Sequence, residues 1–185
     1  MTLVIVAGGI DLSVGSILAV GGLFGTMAIA HGSSVFVGIL VGILAGTVCG
    51  AANGAMIVGF RVPPFIVTLG TMGIFRALIT FLANGGTLNL NFQVSDAYQP
   101  VYFGSLLGVP FPLIVFALIA IAGEIVLRRT SFGRHVAAIG SNEQVARYSA
   151  IKVDNVRLMT YVLQGVLVGV ATLLYVPRFG SANSS

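Results

Sequence analysis

The strongest constraint on this chain is that nearly uncharged apolar stretches recur, each close to the ~20 residues a helix needs to cross a bilayer. Residues 12–30, Val35–Phe60, and residues 65–83, 111–127 and 158–176 all have that character. Composition agrees: 57% of residues are hydrophobic, mean hydropathy is +1.05 and only 8% are charged. A soluble domain carries roughly 25% charged residues. Backbone groups in lipid must be satisfied within the spanning segment, which for runs of this length means helix. The expected fold is an all-α, multi-pass membrane protein, a polytopic helical bundle. No basic N-terminal region precedes a short apolar segment and a cleavage site, so no signal peptide is visible. The single Cys49 excludes an internal disulfide.

Nine Lys and Arg against five Asp and Glu give a net charge of +4. That balance alone would suit nucleic acid, but its placement points to a membrane. Arg128, Arg129, Arg134, Arg147, Lys152 and Arg157 all fall in residues 128–157, one polar connection between two apolar runs. The positive-inside rule places such a connection in the cytoplasm. Counting spans outward, residues 84–110 lie outside and Arg61-Val62-Pro63-Pro64 forms a cytoplasmic turn with its own arginine. His31-Gly32-Ser33-Ser34 is then a short outer turn. Residues 1–7 are too short to span and read as the end of a helix. Ser181-Ala182-Asn183-Ser184-Ser185 brings no closing element. The chain reads as a fragment of a longer protein, incomplete at one or both ends.

Within the runs, Gly38, Gly42, Gly46, Gly50 and Gly54 recur every fourth residue, and Gly21/Gly25 and Gly165/Gly169 repeat the spacing. Such a small-residue ridge lets helix backbones approach closely where lipid removes most of the hydrophobic drive between helices. It is expected to pack inside the protein or at a subunit contact. In the basic connection, Ser141-Asn142-Glu143-Gln144 fits a capping box with Ser141 at the N-cap, starting a short helix over residues 142–150. That helix would present Val145, Tyr148 and Ser149, and Asp154 would cap the next span. It could dock a cytoplasmic partner or lie on anionic headgroups.

The turn Gly8-Gly9-Ile10-Asp11-Leu12-Ser13-Val14-Gly15-Ser16 sets one carboxylate between apolar runs. Two readings of Asp11 are open. It is the N-cap of a helix over residues 12–30, preceded by glycines that end the previous helix, or it is a buried ligand. Arg76, within residues 65–83, either lines a pathway or snorkels to the outer headgroups. Asn53 and Thr71 are further pathway candidates, with helix–helix hydrogen bonds as the alternative. Glu124 is expected to pair with Arg128 at i+4. The outer segment, with Asn84-Gly85-Gly86, Asn89, Asn91 and Gln93, is a candidate docking surface. No catalytic group, metal site or cofactor is expected. His31 and His135 are far apart with no ligand spacing, and no Gly-x-x-x-x-Gly-Lys-Ser/Thr loop offers a nucleotide site.

Three motifs in order, GGIDLSVGS, Pro64-Phe65-Ile66-Val67-Thr68-Leu69-Gly70-Thr71, and Thr130-Ser131-Phe132-Gly133-Arg134 followed by Ala138-Ile139-Gly140-Ser141-Asn142, resemble the permease subunit of bacterial ABC sugar importers. The branch is that of the ribose, xylose and galactoside systems. The resemblance implies a fold like the vitamin B12-type importer permease, one transmembrane permease domain over residues 1–185 and a coupling loop at 128–157. It implies a bacterial inner-membrane location, a cytoplasmic ABC ATPase, a periplasmic sugar-binding protein and a second permease subunit. Membrane lipid is a partner and nucleic acid is not. By position, Arg134, Gly140, Asn142, Glu143, Ala146 and Arg147 would contact the ATPase, while Gly9, Asp11, Ser13 and Gly15 form the family's fingerprint turn. The family usually carries Ser-Gly-Ile where this chain has Ser149-Ala150-Ile151. The implied function is the translocation path for a sugar of monosaccharide size. Readings from other classes are an ion-coupled secondary transporter using Asp11 and a truncated subunit without transport.

Overall fold

The computed structural model describes residues 1–83, 87–89, 103–106, 108–179 and 181–183. Its elements are α1 (Thr2–Val6), α2 (Val14–Ala30), α3 (Val35–Phe60), α4 (Pro64–Leu82), α5 (Phe111–Arg129), α6 (Ser131–Ser141), α7 (Glu143–Tyr148) and α8 (Val153–Phe179). Four short strands accompany them: β1 (Thr87–Asn89), β2 (Ser105–Leu106), β3 (Val109–Pro110) and β4 (Ser181–Asn183). The fold is all-α, as the apolar runs require.

Element ends follow local chemistry. The Ser34 hydroxyl accepts from the Val37 amide to start α3. Pro64 opens α4, and Pro112 sits in the first turn of α5, where a missing N–H costs nothing. Helix α3 ends on Arg61 in the left-handed conformation at φ 53°. Among the described residues, three helices, α3, α4 and α5, are long and apolar enough to cross a membrane. Helix α2 starts at Val14 rather than at residue 12 and has 17 residues. The expected span 158–176 lies inside the longer α8.

The glycine ridge is an internal seam. Along α3, Gly38 and Gly42 meet Gly25 and Gly21 of α2, while Gly46 and Gly50 meet Gly165 and Gly169 of α8. A Cβ on Gly25 would come 2.9 Å from the Gly38 carbonyl oxygen, and one on Gly46 would come 2.7 Å from that of Gly165. Real Cβ atoms do not approach backbone so closely, so these helices pack at this distance only with glycine on both sides. A buried cluster including Ile17, Val20, Leu23, Phe75, Ile79 and Val168 joins α2, α4 and α8.

Two loop features bear on orientation. β1 pairs antiparallel with β4, Thr87 opposite Asn183, so the chain leaves α4 and α8 at the same end of the bundle. Residues 181–183 form a strand paired with residues 87–89. At the opposite end, the 128–157 connection and the Arg61 turn share a cavity of about 400 Å³ with Gly8. Of the candidate outer docking residues, Asn89 ends β1, whereas Asn84, Gly85, Gly86, Asn91 and Gln93 lie outside the described residues. Helix α5 stands apart, with none of its 19 residues buried.

Candidate functional site

The turn between α1 and α2 is built from two local motifs and a tie to α4. Gly8, at φ 77°, ends α1 in a Schellman arrangement: the Gly9 amide donates to the Val4 carbonyl and the Gly8 amide to that of Ile5. Asp11 then folds its carboxylate back over the chain. Its Oδ1 accepts from the Ser13 amide at 2.8 Å and from the Ser13 hydroxyl at 2.6 Å, an Asx turn. The Leu12 amide donates to Thr68 Oγ1 of α4 at 3.2 Å. These bonds hold residues 11–13 out of the helix, which is why α2 begins two residues late. Asp11 is therefore not the N-cap; Ser13 holds that position, without a side-chain capping bond.

Asp11 is instead buried, with 3% of its surface exposed. Its Oδ2 accepts from Gln164 Nε2 of α8 at 2.7 Å. The Ser13 hydroxyl, while donating to Asp11, accepts from Asn53 Nδ2 of α3 at 2.7 Å. A buried carboxylate is tolerable when charge-assisted donors surround it, and here three do. The result is a polar knot tying the turn to α3, α4 and α8. Gly9 completes it by close approach, since a Cβ there would lie 2.8 Å from the Tyr161 hydroxyl. Around Gly15, by contrast, a Cβ would have open space.

Of the pathway candidates, Asn53 is fully buried and committed to Ser13. Thr71 is buried, and its hydroxyl donates to the Thr68 carbonyl at 3.3 Å. Arg76 is exposed. The structure thus brings Asn53, but not Arg76, to the fingerprint turn. Sequence reasoning missed Gln164, Tyr161 and Thr68 as members of the knot. Gln164 carried a usable signal, an amide in the middle of an apolar run, the same feature that drew attention to Asn53.

The 128–157 connection contains two helices rather than one. Thr130 caps α6, its hydroxyl accepting from the Gly133 amide at 3.2 Å. Asn142 caps α7, accepting from the Val145 amide at 3.1 Å. Ser141 is not the cap: it ends α6, and its hydroxyl donates to the Ala137 carbonyl. Asn142 takes the role because its extended backbone, at φ −161° and ψ 108°, aims its amide oxygen at the first turn of the new helix, whereas Ser141 is still helical. Asp154 likewise sits inside the first turn of α8 instead of capping it.

An ion network fixes α7 against the start of α8. Arg147 reaches Glu143 at 2.9 Å and Asp154 at 2.7 Å, and Arg157 reaches Glu143 at 2.7 Å. The Arg157 hydrogen bond, reinforced by Arg147, holds the Glu143 carboxyl below its ordinary range. Ala146 is buried in a cluster with Ala7, Val136, Ile139 and Val153. Val145, Tyr148, Arg134 and Asn142 remain exposed. Ala150 adopts φ 59°, a left-handed conformation that suits glycine. Gly140 packs on the Val6 carbonyl, seating α6 on the end of α1. At the start of the connection Glu124 pairs with Arg128 at 2.5 Å, as its i+4 spacing required.

Among known proteins, the chain is 40% identical to the ribose import permease protein RbsC of Bacillus subtilis (strain 168) over 183 residues, 99% of this chain and 56% of that relative. It is 34% identical to the ribose import permease protein RbsC of Escherichia coli (strain K12) over 184 residues, 99% of this chain and 57% of the relative. Identity to the autoinducer 2 import system permease protein LsrD of Yersinia pseudotuberculosis serotype O:1b (strain IP 31758) is 34% over 190 residues, 100% of this chain and 56% of the relative. The chain thus spans a little over half the length of these curated relatives. No solved structure matches it. The resemblance seen in the three ordered motifs is borne out along the whole chain. With every residue from 1 to 185 matched, the chain belongs to the family described as branched-chain amino acid transport system / permease component.

Proposed function

We propose that the chain forms part of the translocation path of an ATP-driven importer in the bacterial inner membrane, carrying a sugar of monosaccharide size. The reading rests on one observation above others: similarity to ribose import permeases covers 99% of the chain. A cytoplasmic ABC ATPase supplies the energy, a periplasmic binding protein delivers the sugar, and a second permease subunit completes the path. The 128–157 connection is the coupling loop. Its α7 offers the exposed Val145 and Tyr148 from a rigid base of ion pairs, the form expected of a surface that docks into a groove. Arg134, Gly140, Asn142, Glu143, Ala146 and Arg147 belong to this surface or support it. Transport then follows alternating access, with nucleotide-driven movement of α7 rocking the spans.

Charge inversion at Arg134 and Arg147 tests the docking. Co-purification of the ATPase with the protein should fall at least tenfold, and sugar uptake should fall with it. Undiminished association in the double variant would remove α7 from the interface. Uptake that follows a proton or sodium gradient and needs no ATPase would replace the reading with an ion-coupled transporter.

A further inference from the structure

The Asp11 knot lies between the cytoplasmic-end helices and the spans, and its connections are specific. On one side, α6 sits on the last residues of α1: Gly140 packs on the Val6 carbonyl, and a Cβ at Gly8 would be 3.9 Å from Gly140 Cα. The buried cluster that holds Ala146 of α7 also holds Ala7, with Val6 packed against it. A displacement of α6 and α7 therefore reaches Gly8 through backbone contact and close-packed side chains, which transmit strain rather than absorb it. On the other side, three residues further on, Asp11 and Ser13 grip α8 through Gln164 and α3 through Asn53. The neighbouring Ile10 and Leu12 grip α4 through Thr68.

The knot also has spare hydrogen-bonding capacity. Four buried side-chain atoms lack a partner among the described residues, and three of them belong to Asn53 (Oδ1), Gln164 (Oε1) and Tyr161 (hydroxyl). Gln164 and Asn53 are direct members of the knot, and the Tyr161 hydroxyl lies over Gly9. Unused acceptors and a rotatable hydroxyl around a buried carboxylate allow bonds to be exchanged without stripping the charge. That is the requirement for an element with two discrete arrangements.

From this geometry we infer that Asp11 is a positioning residue for coupling: its hydrogen-bonded knot converts movement of α6 and α7 into movement of α3, α4 and α8. It touches neither sugar nor nucleotide. This role rests on the proposed function of the 128–157 loop. A hydrogen-bonded tie predicts a different response from a charge that binds a ligand. An asparagine at position 11 still accepts from Ser13, and the Gln164 amide can turn its carbonyl toward the new N–H donor.

The test uses the assembled importer in lipid nanodiscs, counting sugar molecules moved per ATP hydrolysed. Asp11→Ala and Gln164→Leu should each lower that ratio tenfold or more with ATPase co-purification unchanged, and Asp11→Asn should keep at least half of it. A merely structural knot would lower thermal stability and leave the ratio intact, which would overturn the inference. So would an Asp11→Asn as damaged as Asp11→Ala, because charge would then be the essential property. Should the variants fail to assemble, hydrogen exchange on the wild-type complex decides. Protection of the Leu12 and Ser13 amides, both bonded to the knot, should change at least fivefold when the ATPase is trapped with vanadate, and equal protection in both states would overturn it. Failure of the wild-type chain to bind any ATPase would instead remove the proposed function, and this inference with it.

Discussion

Helices α3 and α5 are almost equally apolar, with mean hydropathy 2.3 and 2.2, yet the structure treats them oppositely. Over its most apolar stretch α3 has 28% of its residues buried, and α5 has none. The difference lies in glycine placement rather than hydrophobicity. Helix α3 carries glycine every fourth residue on one face, and each of those five meets a neighbouring helix. The Gly123 position of α5 faces open space. Apolarity makes a helix compatible with lipid, but a flat small-residue face makes it compatible with another backbone. Ala150 completes the contrast, as a residue with a side chain where the backbone conformation favours none.

The most severe way to break this comparison is Gly50→Val. Its side chain would enter the Tyr161 and Gly165 backbone, which cannot recede. Overpacking of this kind costs about 3 kcal/mol and often the fold, so the variant should lose its monodisperse peak in detergent chromatography. Next in size, and opposite in sign, is Ala150→Gly. Relief of a left-handed non-glycine residue is worth about 1 kcal/mol, and the midpoint of thermal unfolding in detergent should rise by a few degrees. A fall would mean that residue 150 does not hold φ near 59° in solution.

A smaller effect concerns the ion network beneath α7. The depressed Glu143 pKa means that its contribution is complete above the ordinary carboxylate range and is lost as pH falls through the lowered value. Glu143 and Arg147 are substantially exposed, so solvent screening keeps the contribution small. Exchange at the α7 amides should therefore be level, after correction for intrinsic rate, from pH 8 to pH 5 and rise below about pH 4. Glu143→Gln should flatten that rise. The least effect belongs to Gly123→Ala in α5. Its helix persists in the membrane even when the bundle comes apart, so helix propensity largely cancels and stability should move by less than about 0.5 kcal/mol. A larger loss would place a close helix neighbour on that face.

Much of the architecture was legible because its causes are local or periodic. The bounds of α3 are those of an apolar run between Ser34 and Arg61. Pro64 and Phe111 mark where α4 and α5 begin, within a residue of the expected spans. The glycine register announced a seam before its partners were known. At helix ends, where two adjacent residues can each cap, the sequence was ambiguous. Ser141 and Asn142 both qualify, and the choice fell to the backbone conformation at 142.

The site was less legible. Asp11 looked like either a cap or a buried ligand; the structure removes the cap and shows a buried carboxylate held by Ser13 and Gln164. Its hydrogen-bond partner Gln164 lies 153 residues away, beyond any local pattern. The sequence by itself determined that the chain enters a membrane, how many apolar runs it offers, where its positive charge gathers and which helix faces can meet backbone to backbone. These follow from side-chain composition and the helical period, properties each segment carries alone. Only the tertiary structure decided what holds Asp11, because the donors around a buried carboxylate are set by the fold. Those donors come from Ser13 and Gln164, with Asn53 behind them, on elements that the fold alone brings together.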